Sequence, residues 1–252
     1  MQVHLPKPLH GWRPFAGEVG VIVLGVLIAL AAQQAVESFQ WRDKVGRAEA
    51  AMRLELAEDD GPQAYGRMAI GACLDQQITR IRDGAGRMPT DLLRRSIADY
   101  APPFRTWDSE AWKAVLSSDV GSHMGPDRLV AWSSPYRIMP GLTDANQREV
   151  DIAADLHEIL PPSGEPSGQD LAAVRRLSEE LRILNSRLVR GSALVLARSR
   201  QNDALVPQSV QKALLDEART IYGACVRTPD LDARPEAQTL GANLRAGVLG
   251  FR

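Results

Sequence analysis

The sequence predicts an all-α protein in which an N-terminal transmembrane helix continues into an irregular helical bundle. Three observations carry that expectation. Val19 to Ala32 is an unbroken apolar run of fourteen residues between Glu18 and Gln33. Aromatic residues make up only 5% of the chain and its apolar residues are mostly Ala, Leu and Val, which suits helices better than strands. Further along, Val174, Leu177, Leu181, Leu184, Leu188 and Val195 follow alternating three- and four-residue spacing, with Gly191 filling the missing position of a bundle seam.

In chain order, residues 1–14 read as a short polar tail, in which Pro6, Pro8 and Pro14 oppose an early helix and Pro14 suits a first helical turn. Residues 15–38 read as the span. A hydrocarbon core of about 30 Å needs roughly 20 residues, and a helix from Phe15 to Phe39 rises about 36 Å. Trp12 and Phe15 at one end and Phe39 and Trp41 at the other place aromatics at both interfaces. Glu18, one turn inside the helix, favours the positive end of its dipole. Glu18, Gly25, Ala29 and Ala32 share one helical face, and Gly25-xxx-Ala29 is a small-xxx-small pattern suited to a second helix. A cleaved signal peptide competes, because Ala29-Leu30-Ala31 fits a cleavage site. Against cleavage, Trp41, Val45, Ala48, Met52 and Leu56 continue an apolar stripe through a juxtamembrane helix over 39–58, expected to stop at Asp59-Asp60-Gly61-Pro62.

Gly11-Trp12-Arg13-Pro14-Phe15, Gly17-Glu18-Val19, Gly25-Val26-Leu27-Ile28-Ala29-Leu30 and Trp41-Arg42 together resemble the anchor of an uncharacterised family of bacterial single-pass membrane proteins. The resemblance covers about the first 55 residues, with Cys73, Trp112 and Cys225 at family-like places beyond. It implies a tail in the cytoplasm, an inner-membrane span and a helical periplasmic domain, and it supplies no catalytic residue. Charge does not set this orientation, since Lys7 and Arg13 precede the span and Arg42, Lys44 and Arg47 follow it.

The bundle is expected over 63–227. Ile70, Cys73, Leu74, Ile78 and Ile81 line one face of a helix closed by Gly84 and Gly86. Prolines at 89, 102, 103, 126, 135 and 140 cut the next stretch into short helices. That stretch holds Trp107, Trp112, Trp132 and Tyr136, which either line a ligand or partner surface or fill a core made of short helices. Thr143 or Asp144 is expected to cap a helix to Leu160 that carries His157 on its surface. Pro161 to Gly168 reads as a loop. In the long helix after it, Arg175 with Glu179 and Arg176 with Glu180 form i,i+4 pairs on a solvated face. Asn202 and Asp203 end that helix. A last helix carries Val210, Leu214, Ala218, Ile221 and Cys225, and residues 228–252 form a flexible tail.

Cys73 and Cys225 lie in matching contexts, Gly-Ala-Cys-Leu and Gly-Ala-Cys-Val, and small neighbours let two backbones approach closely enough for a disulfide. With 30 basic against 31 acidic residues, the chain has no footprint for nucleic acid. No phosphate loop, zinc helix or nucleophile elbow is present, and Ser122-His123 is in the wrong order for the last. No cofactor or metal is expected. The resulting expectation is a non-enzymatic tethering or interaction module in the bilayer, partnered by a membrane protein or a second copy through the span. The alternative is a small-molecule-sensing subunit that signals through a partner membrane protein.

Overall fold

The computed structural model describes residues 12–161 and 163–231, apart from the side chains of Arg13 and Pro14. These residues belong to two compact units divided after Arg47. The tail expected over 1–14 lies mostly outside the described residues, and the first helix, α1 (Trp12–Glu55), begins two residues ahead of Pro14. In the first unit the apolar run is bare on every side, with Val21 72% and Ile28 62% exposed. A helix apolar all round needs an apolar solvent. One helix among the described residues is long and apolar enough to cross a membrane, and this is it.

The stop expected at Asp59 to Pro62 does not occur. Leu56–Asp60 forms one turn of π-helix, and α2 (Gly61–Gly84) follows without a gap. The wide turn carries the Gly61 N–H to the Leu56 carbonyl and brings Pro62 into the first turn of α2, where its missing N–H is tolerated. Space, rather than backbone conformation, demands the glycine: a Cβ on Gly61 would stand 2.4 Å from the Leu56 oxygen and 2.7 Å from Val206 Cγ2. Glycine and proline, breakers in a straight helix, here allow one helical register to pass into another.

After α2 come α3 (Thr90–Ala98), α4 (Glu110–Ser117), α5 (Val120–His123), α6 (Pro126–Tyr136), α7 (Met139–Glu158), α8 (Gly168–Arg200) and α9 (Gln208–Tyr222). The core joins Ile70, Leu74, Ile78 and Ile81 of α2 to Leu93 and Ile97 of α3, Ile152 and Leu156 of α7, and Val174, Leu177 and Leu181 of α8. The α2 and α8 stripes therefore form as their spacing predicts. Close approach depends on two glycines. A Cβ on Gly71 would meet Val189 Cγ2 at 2.4 Å, and one on Gly191 would meet Leu142 Cδ2 at 2.3 Å. Gly191 fills the seam position because α7 needs that space.

Several local expectations are corrected. Helix α7 begins at Met139 with Pro140 in its first turn, so Thr143 and Asp144 lie inside it and cap nothing. The capping box belongs to α8, where Ser167 Oγ accepts from Asp170 N at 3.1 Å and Ser167 N donates to Asp170 Oδ2 at 2.8 Å. Arg175 donates to the Ala85 carbonyl at 2.9 Å and forms no pair with Glu179, which is held by Arg182 and by Arg82 from α2. Arg176–Glu180 does form, at 3.9 Å. On α9 the buried residues are Leu215 and Ala218, whereas Ile221 is 66% exposed. Gly223, at φ 73°, turns the chain after α9, so Cys225 lies on a following 3₁₀ turn rather than on the helix stripe. Residues 232–252 of the expected tail lie outside the described residues.

Candidate functional site

Pro102 and Pro103 keep the chain from Tyr100 to Ser109 out of any helix, so its backbone groups need partners from elsewhere. Side chains supply them. His157 Nε2 lies 3.0 Å from the Tyr100 carbonyl, and Asn146 donates to the Pro103 carbonyl at 3.1 Å while accepting from Arg105 N at 2.6 Å. Asp60 Oδ1 accepts from Asp108 N, and Glu55 Oε2 from Ala111 N, both at 2.9 Å. The segment is thus a strap, tied by two residues of α7 and by Asp60 of the π turn, while Glu55 holds the first turn of α4 just beyond it.

Beneath the strap lies a buried ion pair. Arg67 and Glu149 are 0% exposed and meet in a two-pronged contact, Nη1 to Oε2 at 2.6 Å and Nη2 to Oε1 at 2.7 Å. Arg67 Nη2 also donates to Asn185 Oδ1 at 2.7 Å, and Asn185 returns a bond to the Gly71 carbonyl at 2.9 Å. Asn146 adds a bond to Glu149 at 3.2 Å. Three helices, α2, α7 and α8, are pinned in register by this one charge-neutral network.

At the π turn the electrostatics are reversed, because two carboxylates face each other's field. Burial first, and then the charge of Glu55, push the Asp60 carboxyl up to about 8, with Asp108 and Asp59 adding to the rise and the Asp108 N–H opposing it. Asp60 Oδ2 and Glu55 Oε1 are buried without a hydrogen-bond partner. Tyr136 donates to the Met52 carbonyl at 3.3 Å, and burial together with Glu55 holds its phenol protonated.

The third feature is a cavity of about 230 Å³ lined by the strap, α2 and α9. Arg105 enters it from the strap and brings the edge formed by its two terminal nitrogens against Gly66, where a Cβ would stand 3.0 Å from each of them and 3.3 Å from Cζ. Its guanidinium's described hydrogen bonds are long ones from Nη1 to Gln63, at 3.3 and 3.4 Å, and Nε has no partner. Burial first, then the charge of Arg67, lowers its pKa from the usual arginine value. A second cavity of about 310 Å³, beside Ile97 and Leu160, contains Arg94, whose guanidinium already serves Asp91 and the Pro161 and Gly164 carbonyls.

The residues singled out by sequence have different fates. Trp107, Trp132 and Tyr136 are buried, and Trp112 stacks on Tyr136 with ring centroids 5.6 Å apart. Trp132 Nε1 donates to Glu49 at 3.1 Å. These aromatics fill the space among α4, α6 and the end of α1 and do not line the Arg105 cavity. Cys73 and Cys225 are joined in a disulfide with Cα atoms 5.2 Å apart. Glu18, Gly25, Ala29 and Ala32 are all exposed on α1, and a Cβ on Gly25 would touch nothing. Among the described residues, no three His, Cys, Asp or Glu side chains gather as a metal site.

No family model matches the chain, nor does any curated protein or solved structure. The site is therefore read from its own chemistry. Sequence reasoning missed Arg67, Glu149 and Asn185, although each occupies an apolar stripe: Arg67 precedes Ile70 and Leu74, Glu149 precedes Ile152 and Leu156, and Asn185 falls between Leu181 and Leu188 at helical spacing. A charge on a core stripe was the available signal. Arg105 had none, because nothing local distinguishes a strap arginine that folds onto Gly66.

Proposed function

We propose that this chain is a non-catalytic tethering module of the bacterial inner membrane, anchored by residues 15–38 with its bundle in the periplasm. In this reading the face of Glu18, Gly25, Ala29 and Ala32 holds a helix of another membrane protein or of a second copy. The observation that carries the reading is the length of α1 that is apolar on every side and wholly uncovered in this chain. The Cys73–Cys225 disulfide supports an oxidising compartment for the bundle.

Cysteine crosslinking of the full chain in native membranes tests the tether. Ala29→Cys is expected to give a discrete crosslinked product, and Leu27→Cys, on the opposite side of the helix, none. Equal reactivity at the two positions, or no product at either, overturns a specific docking face.

A further inference from the structure

We propose that the cavity between the strap, α2 and α9 binds a small monocarboxylate, its carboxylate on Arg105 and its apolar body against Ile70, Leu214 and Ile221. The site is carried by the bundle alone and stands independently of any docking by α1.

The charge comes first. Arg105 is half-buried, and a guanidinium partly withdrawn from water gains from an ion pair and short hydrogen bonds. Arg67 has a counter-ion in Glu149 and short bonds to it and to Asn185, whereas the described bonds of the Arg105 guanidinium are two long ones to Gln63; Nε is unpartnered in both. Arg67, already neutralised by Glu149, offers Arg105 no counter-charge. Glu217 and Tyr222, which also line the cavity, act in the favourable direction on Arg105, but Glu217 is an exposed side chain at the margin. A carboxylate brought against the guanidinium from the cavity supplies the charge-assisted bonding that the protein does not.

Size and lining narrow the class. Cavities for drug-sized ligands hold about 300–1,000 Å³, so about 230 Å³ suits a single ring or a short alkyl chain. Ile70, Leu214, Ala218, Ile221 and Pro103 present an apolar wall beside the cation Arg105, with the exposed Glu217 at the margin, and this suits one negative group on an apolar body.

Fluorine NMR of 4-fluorobenzoate with the full chain in lipid nanodiscs tests this, with 4-fluorobenzamide as the neutral comparison and inorganic phosphate as competitor. Saturable binding of the benzoate is expected, at least about tenfold tighter than the amide and not displaced by equimolar phosphate. Arg105→Gln is expected to weaken it at least about tenfold. Ile221→Glu, at an exposed position that the core does not need, places a like charge on the wall and is expected to do the same even if the arginine variant fails to fold. No benzoate binding, equal affinity for the amide, displacement by phosphate, or undiminished binding to Ile221→Glu each overturns the proposal.

Discussion

Two buried carboxylates are accommodated in opposite ways at two places on one continuous helical path, at Asp60 and, seven residues on, at Arg67, the partner of Glu149. Glu149 faces Arg67 in a contact whose charges cancel, with further bonds from Asn146 to Glu149 and from Arg67 to Asn185, and only Arg67 Nε is left without a partner. Asp60 faces Glu55, with backbone N–H groups of the strap and α4 as the compensating donors and one oxygen on each carboxylate unmet. The first arrangement pairs opposite charges and sets register. The second keeps a proton near neutral pH and makes its own stability depend on that proton. Burial raises the Asp60 carboxyl first and the like charge of Glu55 adds to it, whereas Glu149 is buried against an opposite charge.

Removing one member of the neutral pair is the most severe way to break this contrast. Glu149→Gln leaves Arg67 as an uncompensated buried cation and is expected to cost about 3–5 kcal/mol in denaturant unfolding of the detergent-solubilised chain. A loss below about 1 kcal/mol would mean that the pair is not buried as described.

Asp60 makes the opposite case, and its sign is fixed by linkage. Its folded pKa of about 8 exceeds the ordinary carboxylate value, so between about pH 4 and pH 8 the folded chain retains a proton that the unfolded chain releases. Stability contributed by Asp60 is complete at the acid end, falls as pH rises through that window and levels off above it. Asp60→Asn keeps an oxygen for the Asp108 N–H and removes the charge next to Glu55. It is expected to flatten the slope and to stabilise the chain by up to about 5 kcal/mol at pH 8. Unfolding midpoints measured from pH 5 to pH 8 decide the matter, and an identical slope in the variant would place the titrating group elsewhere.

The smallest effect belongs to a pair outside both centres. Arg176→Ala removes an exposed i,i+4 contact to Glu180 at 3.9 Å and should change the same midpoint by no more than a few tenths of a kcal/mol. A larger change would show that the surface of α8 contributes more than its geometry suggests.

Periodicity made the helices of α2 and α8 legible, because side chains three and four residues apart share a face whatever surrounds them. It also marked the apolar length of α1, which depends only on composition and helical rise. The matching Gly-Ala-Cys contexts located the disulfide partners, since in a chain with two cysteines there is no second pairing to consider. What the sequence could not determine were choices made at long range or by space. Gly61 and Pro62 look like a stop in one dimension, and only Leu56 and Val206 around them reveal a π turn. Arg67 selects Glu149 from 82 residues away, and Arg105 reaches Gly66 because Asn146 and Asp60 tie down the strap on either side of it. Local spacing records which way a side chain faces along its own helix; which charge it meets there depends on how the helices pack, and that is a property of the tertiary structure alone.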